Sequence, residues 1–217
     1  MIPANEALAR LRAGNLRFIA GQQQQQAGIY AQQHADLVEG QQPFAIILGC
    51  SDSRVPAEMV FDQGFGSLFV IRVAGNIVAP SQIGSVEFAA EMFGTQLVVV
   101  LGHTQCGAIA GAIDELSNPQ AQQSPNLRSI VGRIVPAIKP LFNESSGYES
   151  EALKTAAVHA NARASARDLV SGSSIIRKLV ASGDLMIASA EYSIETGKVT
   201  FLDDPDSSAN TSLPRRA

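Results

Sequence analysis

The 217-residue chain has no tryptophan, only two cysteines and three histidines, and no block of lysine or arginine. Two cysteines, Cys50 and Cys106, allow at most one disulfide, which excludes a disulfide-stapled scaffold. With no basic block and a formal net charge of -4 at pH 7, the electrostatic footprint of a nucleic-acid binder is missing. The longest clean apolar runs, Phe44–Leu48 and Leu97–Leu101, are far too short to span a bilayer, so no membrane partner is expected. A secretory signal needs a basic start and an apolar centre, whereas Met1–Gln26 reads as an amphipathic segment ending in glutamines. A cytoplasmic location is expected, or a periplasmic one if a leader peptide has been removed. What remains is a globular composition, 46% apolar and 17% charged, long enough for one domain with a full core.

Four short apolar runs read as buried parallel strands: Phe44–Leu48, Leu68–Val73, Leu97–Leu101 and Leu185–Ala190. Glu195-Thr-Gly-Lys reads as a turn into Val199–Leu202, an antiparallel edge strand. Helical patterns fall between them: Gly84–Phe93, Ala108–Leu116, Leu127–Phe142 (kinked or broken at Pro136 and Pro140), Glu151–Val170 and Ser174–Ala181, the last with Ser174 as N-cap and Gly183 at its end. Near the N-terminus Leu8, Leu11, Phe18 and Ile19 recur at helical spacing and form one apolar stripe. Alternating strands and helices predict an α/β fold: a mostly parallel central sheet of about four strands plus an antiparallel edge strand, flanked by helices, with an N-terminal helical arm. Ser117–Ser124 and Asn143–Ser150 read as loops, and Gln22–Gln26 as a solvated linker.

By frequency alone, Cys50 and Cys106 are buried apolar side chains. A disulfide, a nucleophile with a bystander, and two metal thiolates are the other readings. Position favours the metal. Cys50 and His103 each directly follow a buried strand, where ligands collect in open α/β sheets, and Cys106 lies three residues past His103. Two thiolates and one imidazole suit zinc, and three protein ligands leave a fourth position open, the mark of a catalytic site. Asp52 and Arg54 sit on the loop after the first strand. Charges there are costly unless they pair or serve a site. They alternate with Cys50, so an extended loop is expected to point all three to one side.

Cys50-Ser-Asp-Ser-Arg-Val-Pro and Gly102-His-Thr-Gln-Cys-Gly resemble the two signatures of the β-class carbonic anhydrases. Gly14-Asn-Leu-Arg-Phe-Ile-Ala-Gly, Phe69-Val-Ile-Arg-Val-Ala-Gly-Asn, Asn161-Ala-Arg and Gly197-Lys-Val extend the likeness to about Leu202. The resemblance implies one Zn²⁺ per chain on Cys50, His103 and Cys106, and an Asp52–Arg54 catalytic dyad. It implies substrate contacts from Gln41, Gly107, Phe69 and Phe88, the last standing where many members carry Tyr. The implied activity is reversible hydration of CO₂ to bicarbonate and a proton, by attack of zinc-bound hydroxide. Arg72 and Tyr192 match two members of a bicarbonate pocket found in part of the family, but Ile47 stands in place of its Trp. Two thiolates cancel the zinc charge, so the water pKa should exceed that of a three-imidazole site.

Related hydrolases on the same scaffold (carbon disulfide hydrolysis, for instance), a cysteine hydrolase using Cys50 with His103 as base, and a non-catalytic zinc or bicarbonate-binding protein are the competing readings. Asp52 is expected to gate the metal, pairing with Arg54 in an open state or occupying the fourth position in a closed one, with high pH favouring the open state. His34 is not placed to carry the proton away. The resemblance further implies a homodimer or tetramer whose site lies at the subunit interface. The expected organisation is 1–40 as a helical arm packing on a neighbouring subunit, 41–203 as the zinc-binding catalytic domain, and 204–217 as a mobile tail.

Overall fold

The computed structural model describes residues 2–24, 37–118, 123–143 and 150–202. His34, the tail and parts of the three expected loops lie outside the described residues. Strands β1 (Ala45–Gly49), β2 (Leu68–Arg72), β3 (Leu97–His103), β4 (Met186–Tyr192) and β5 (Val199–Phe201) form one sheet ordered β2-β1-β3-β4-β5. The first four are parallel, and β5 returns antiparallel along β4. Every residue of β1 and β3 is buried, because helices cover both sheet faces. That double burial is why both strands read as unbroken apolar runs.

The helices are α1 (Ala4–Ile19), α2 (Ala57–Val60), α3 (Pro80–Met92), α4 (Gly107–Ser117), α5 (Pro125–Ile138), α6 (Glu151–Gly172) and α7 (Ser174–Ser182). One sheet face packs Ile47, Val99 and Leu101 against Ala7 and Leu11 of α1. The other packs Ile46, Leu48, Val98 and Val100 against Val86 of α3, Leu169 of α6 and Ile176 of α7. Each such aliphatic side chain contributes about 1.5–3 kcal/mol by leaving water. A third cluster joins α4, α5 and α6 through Ile109, Ile134 and Val158, and it also contains Cys50 and Cys106.

Several boundaries differ from expectation. α3 starts at Pro80 rather than Gly84, because proline at the first helical position is pre-set for the turn and lacks only an N–H that would be unpaired there. α5 runs unbroken through Pro136, which lies near its end, and becomes a 3₁₀ turn over Lys139–Asn143, around Pro140. The cap of α7 is Ser173, not Ser174: the Ser173 hydroxyl accepts from the Ile176 N–H at 3.0 Å. Gly183 ends that helix in the left-handed conformation, φ 81°.

Within the subunit, α1 packs on the chain's own sheet. Ala7 and Leu11 are fully buried against the chain's own sheet. Asn15 Nδ2 donates to the carbonyls of Val60 (3.1 Å) and Gly197 (2.9 Å), and its Oδ1 accepts from the Val199 N–H at 2.8 Å. One amide thus joins α1, the end of α2 and the β5 hairpin. Gly14 makes the approach possible, since a Cβ there would lie 1.8 Å from the Phe61 carbonyl oxygen. Replacing Asn15 by Leu keeps the branched outline but strands three backbone groups, two of them buried. We expect a loss of about 2–4 kcal/mol, read as a lower urea midpoint with an unchanged slope.

Candidate metal centre

The register of β1 on β3 pairs Gly49 with Leu101. Cys50, one residue past β1, therefore lies beside Gly102 and next to His103, the last residue of β3. The strand order reverses between β1 and β3, and the crevice at that reversal is where open α/β sheets bind ligands. Cys106 caps α4 and closes on the same point. The ligating atoms of Cys50, His103 and Cys106 all lie within 4.8 Å of one another, and all three residues are buried. Both cysteines are free thiols, which removes the disulfide reading.

The surroundings fix each donor. His103 Nδ1 lies 2.8 Å from the Thr104 carbonyl. A carbonyl only accepts, so Nδ1 carries the proton and Nε2 presents its lone pair to the cluster. Nε2 is buried without a hydrogen-bond partner, and a metal ion would satisfy it. The Gly75 N–H donates to Cys50 Sγ at 3.4 Å. Gly75 holds φ 68°, and a Cβ there would come within 2.9 Å of Ala108 and Ile134. Asn161 fixes that turn by donating to the Gly75 carbonyl at 2.8 Å. The Cys106 thiol beside Cys50, against the opposing effect of burial, holds Cys50 down to about 4, with His103 and Gly75 assisting. Cys106 is pushed up by the same contact and by burial. Burial opposes a charge on His103, yet Cys50 and the Thr104 carbonyl outweigh it and raise its pKa. A divalent cation bound here would displace the thiol protons, because thiolates and not thiols ligate metals.

Asp52 and Arg54 face this cluster through a tight turn, not the extended loop expected. The Val55 N–H donates to the Asp52 carbonyl at 3.1 Å, and the Arg54 N–H donates to Asp52 Oδ1 at 3.0 Å. Arg54 then grips the carboxylate two-pronged, Nε to Oδ1 at 2.9 Å and Nη2 to Oδ2 at 2.7 Å. Asp52 Oδ2 lies 4.0 Å from His103 Nε2. Arg72 donates to the Cys50 and Asp52 carbonyls at 2.9 and 2.5 Å, so it braces the ligand loop, while Tyr192 is buried against Phe18.

Gly107 adjoins Cys106 at the first position of α4, and a Cβ there would meet nothing within 4 Å. A cavity of about 480 Å³ reaches Cys106 between α4 and α6, past Thr104, Ile109, Thr155 and Val158. Three other candidates lie apart from the cluster within one chain. Gln41 precedes β1, at the strand end opposite Cys50, beside Arg10, Phe44 and Phe93. Phe69 pairs with Ile46 in the sheet and forms an aromatic group with Phe88 and Phe93. Sequence reasoning gave no roles to Gly75, Asn161, Thr104 or Gln105. Gly75 and Asn161 stood in family-like motifs, but their contact spans 86 residues of sequence.

The Arg54 guanidinium hydrogen-bonds Asp52 and, against some desolvation, holds its carboxyl well below the usual carboxylate range. A depressed value means the pair's contribution to stability is present above the ordinary pKa and is lost as pH falls through the depressed one. In a ¹³C NMR titration, Asp52 of the parent should therefore show no protonation onset down to about pH 4. Arg54→Met should begin to titrate within that range.

A family profile described as carbonic anhydrase matches residues 45–199. Carbonic anhydrase 2 of Mycobacterium tuberculosis is 34% identical over 194 residues, spanning 89% of this chain and 90% of its own length. The carbonic anhydrase of Mycolicibacterium smegmatis is 36% identical over 190 residues, with 87% and 88% covered. Among solved structures, the β-carbonic anhydrase CcaA superposes with a TM-score of 0.72 at 26% identity, covering 91% of this chain and 88% of that one. A tetrameric β-carbonic anhydrase of Sordaria macrospora shares the fold at TM-score 0.72 and 24% identity, covering 82% and 91%. With the profile spanning most of the sheet and both ligand loops, the chain belongs to the β-class carbonic anhydrases.

Proposed function

We propose that the chain holds one Zn²⁺ through Cys50, His103 and Cys106 and with it interconverts CO₂ and bicarbonate. The observation that carries this reading is the orphaned His103 Nε2, buried within 4.8 Å of two thiols and 4.0 Å from an ion-paired carboxylate. Zinc bound there supplies a Lewis acid that brings the ionisation of water toward neutrality. The chain's own groups supply the rest. Thr104 fixes the imidazole tautomer. Asp52, held by Arg54, accepts the hydrogen bond of a water on the open side and so aims an oxygen lone pair at the carbon of CO₂. The bare Cα of Gly107 leaves room at the start of α4, where unpaired N–H groups favour an anionic product. CO₂ itself offers little to bind, which fits a site rich in orienting groups and poor in substrate contacts.

We further propose a homodimer, able to pair into tetramers, in which a second copy brings Gln41, Phe69 and Phe88 toward the metal centre. Phe88 and Met92 of α3 are 50% and 68% exposed beside β2, the edge strand among the described residues, and such a patch calls for a covering surface.

Zinc analysis with a stopped-flow CO₂ assay tests the reading, and CS₂ hydrolysis is measured beside it. The expected result is about one zinc per chain and CO₂ turnover, with CS₂ turnover absent or minor. Cys106→Ser should lose zinc and activity together. Arg54→Ala should keep zinc but lose most activity, because the freed carboxylate moves toward the cation. If Arg54→Ala hydrates CO₂ like the parent at every pH, the dyad is only a structural ion pair. Deleting 1–21 would strip Leu11 and Asn15 from the subunit's own core, so Phe88→Asp is the cleaner test of assembly. It should shift light scattering toward monomer and reduce activity; a fully active Phe88→Asp monomer would refute the shared site.

A further inference from the structure

We infer that Gln105 is a positioning residue: its left-handed backbone turns its carbonyl onto Arg54 and so ties the dyad to the loop that carries two of the metal ligands. This rests on the proposed metal site.

Three non-glycine residues among those described have positive φ: Asp62, Asn76 and Gln105, the last at 58°. Aspartate and asparagine enter this region readily, and glutamine has no such tendency. Gln105 is also exposed, so no core packing forces the conformation. What the conformation achieves is visible in its partners. Arg54 Nη2 donates to the Gln105 carbonyl at 3.2 Å, and Nη1 reaches Gln105 Oε1 at 3.4 Å. Strain kept at such a place, between two ligands, marks a working constraint.

The need for it follows from the geometry of the dyad. Asp52 and Arg54 sit on one short turn, and the Arg54 side chain is 46% exposed. Arg72 braces the backbone of that turn through the Asp52 carbonyl, but the carboxylate and guanidinium, held only by each other, would swing as a unit. Gln105 belongs to the other loop, between His103 and Cys106. Its bonds to Arg54 span 51 residues of sequence and cross-tie the two ligand-bearing loops. Arg54 can then hold Asp52 at a set distance from His103 Nε2, and the carboxylate is kept off the metal's open position. The carbonyl bond is the shorter of the two, so the backbone conformation matters more than the amide side chain.

The test is a series at this one position: Gln105→Gly and Gln105→Asn, which accept positive φ, against Gln105→Ala and Gln105→Val, which resist it increasingly. The cobalt-substituted proteins are titrated with azide by visible absorption, which reports access to the open position, and the zinc proteins are assayed for kcat and KM. Gly and Asn should stay close to the parent in both. Val should weaken azide binding and lower kcat by about tenfold at equal metal content, with Ala between. The loss of Oε1 is shared by Gly, Ala and Val, so a difference among them isolates the backbone. If Val matches Gly, the inference is overturned. If Val does not load metal, the Ala and Gly pair decides, and equality overturns it likewise. A parent that binds no cobalt and hydrates no CO₂ would sink the metal-site reading itself, whereas an active parent with a flat series sinks only this inference.

Discussion

The register of β1 on β3 governs the rest of the molecule. Gly49 opposite Leu101 sets Cys50 beside His103, and a slip of one residue would turn every side chain of β1 to the opposite face. The slip is prevented because both faces of β1 are packed: Ile47 lies against α1 and Ile46 and Leu48 lie against the helices of the other face. Core packing that looks remote from chemistry thus decides whether a sulfur and an imidazole meet. Gly102 serves the same end, since a Cβ there would lie 3.0 Å from Val158 on α6.

Around that meeting point the protein buries groups that a metal-free fold would disfavour. Two thiols share a pocket, an imidazole nitrogen has no partner, and a carboxylate stands close by. Buried polar groups are tolerated when they are satisfied. Here the neighbours hold the outward-facing atoms: Thr104 takes Nδ1, Gly75 supports Cys50 from behind, Arg72 holds the carbonyls of Cys50 and Asp52, and Arg54 takes the Asp52 carboxylate. The outer bonds orient the donors, and the inner face is left for a cation.

Much of this was legible in the chain because doubly covered strands cannot hide their apolar runs. The sheet, its antiparallel edge and the convergence of Cys50, His103 and Cys106 at strand ends all follow from that signal. What was illegible depends on contacts between distant segments or on backbone twist. The apolar stripe of α1 announces burial but not its partner, and Asn15 shows only in three dimensions why it is there. α2 has four residues, too few for a periodic pattern. Pro80-Ser-Gln gives α3 no apolar rhythm at its start. The Asp52–Arg54 turn comes from a carboxylate bonding its own loop, which alternation along the chain does not reveal. Gln105 carries no sequence signal of its left-handed conformation. Gln41, Phe69 and Phe88 were nominated by likeness alone, and a single chain keeps them away from the cluster.

The central claim is that β1 and β3 bring two sulfurs and one imidazole nitrogen to a common cation. X-ray absorption at the zinc K-edge of the purified protein tests it most directly, because it counts donor types around the metal without reference to activity. Two sulfur donors and one imidazole, with a single further oxygen ligand, are expected. Absence of zinc, or zinc surrounded by nitrogen and oxygen alone, would contradict it.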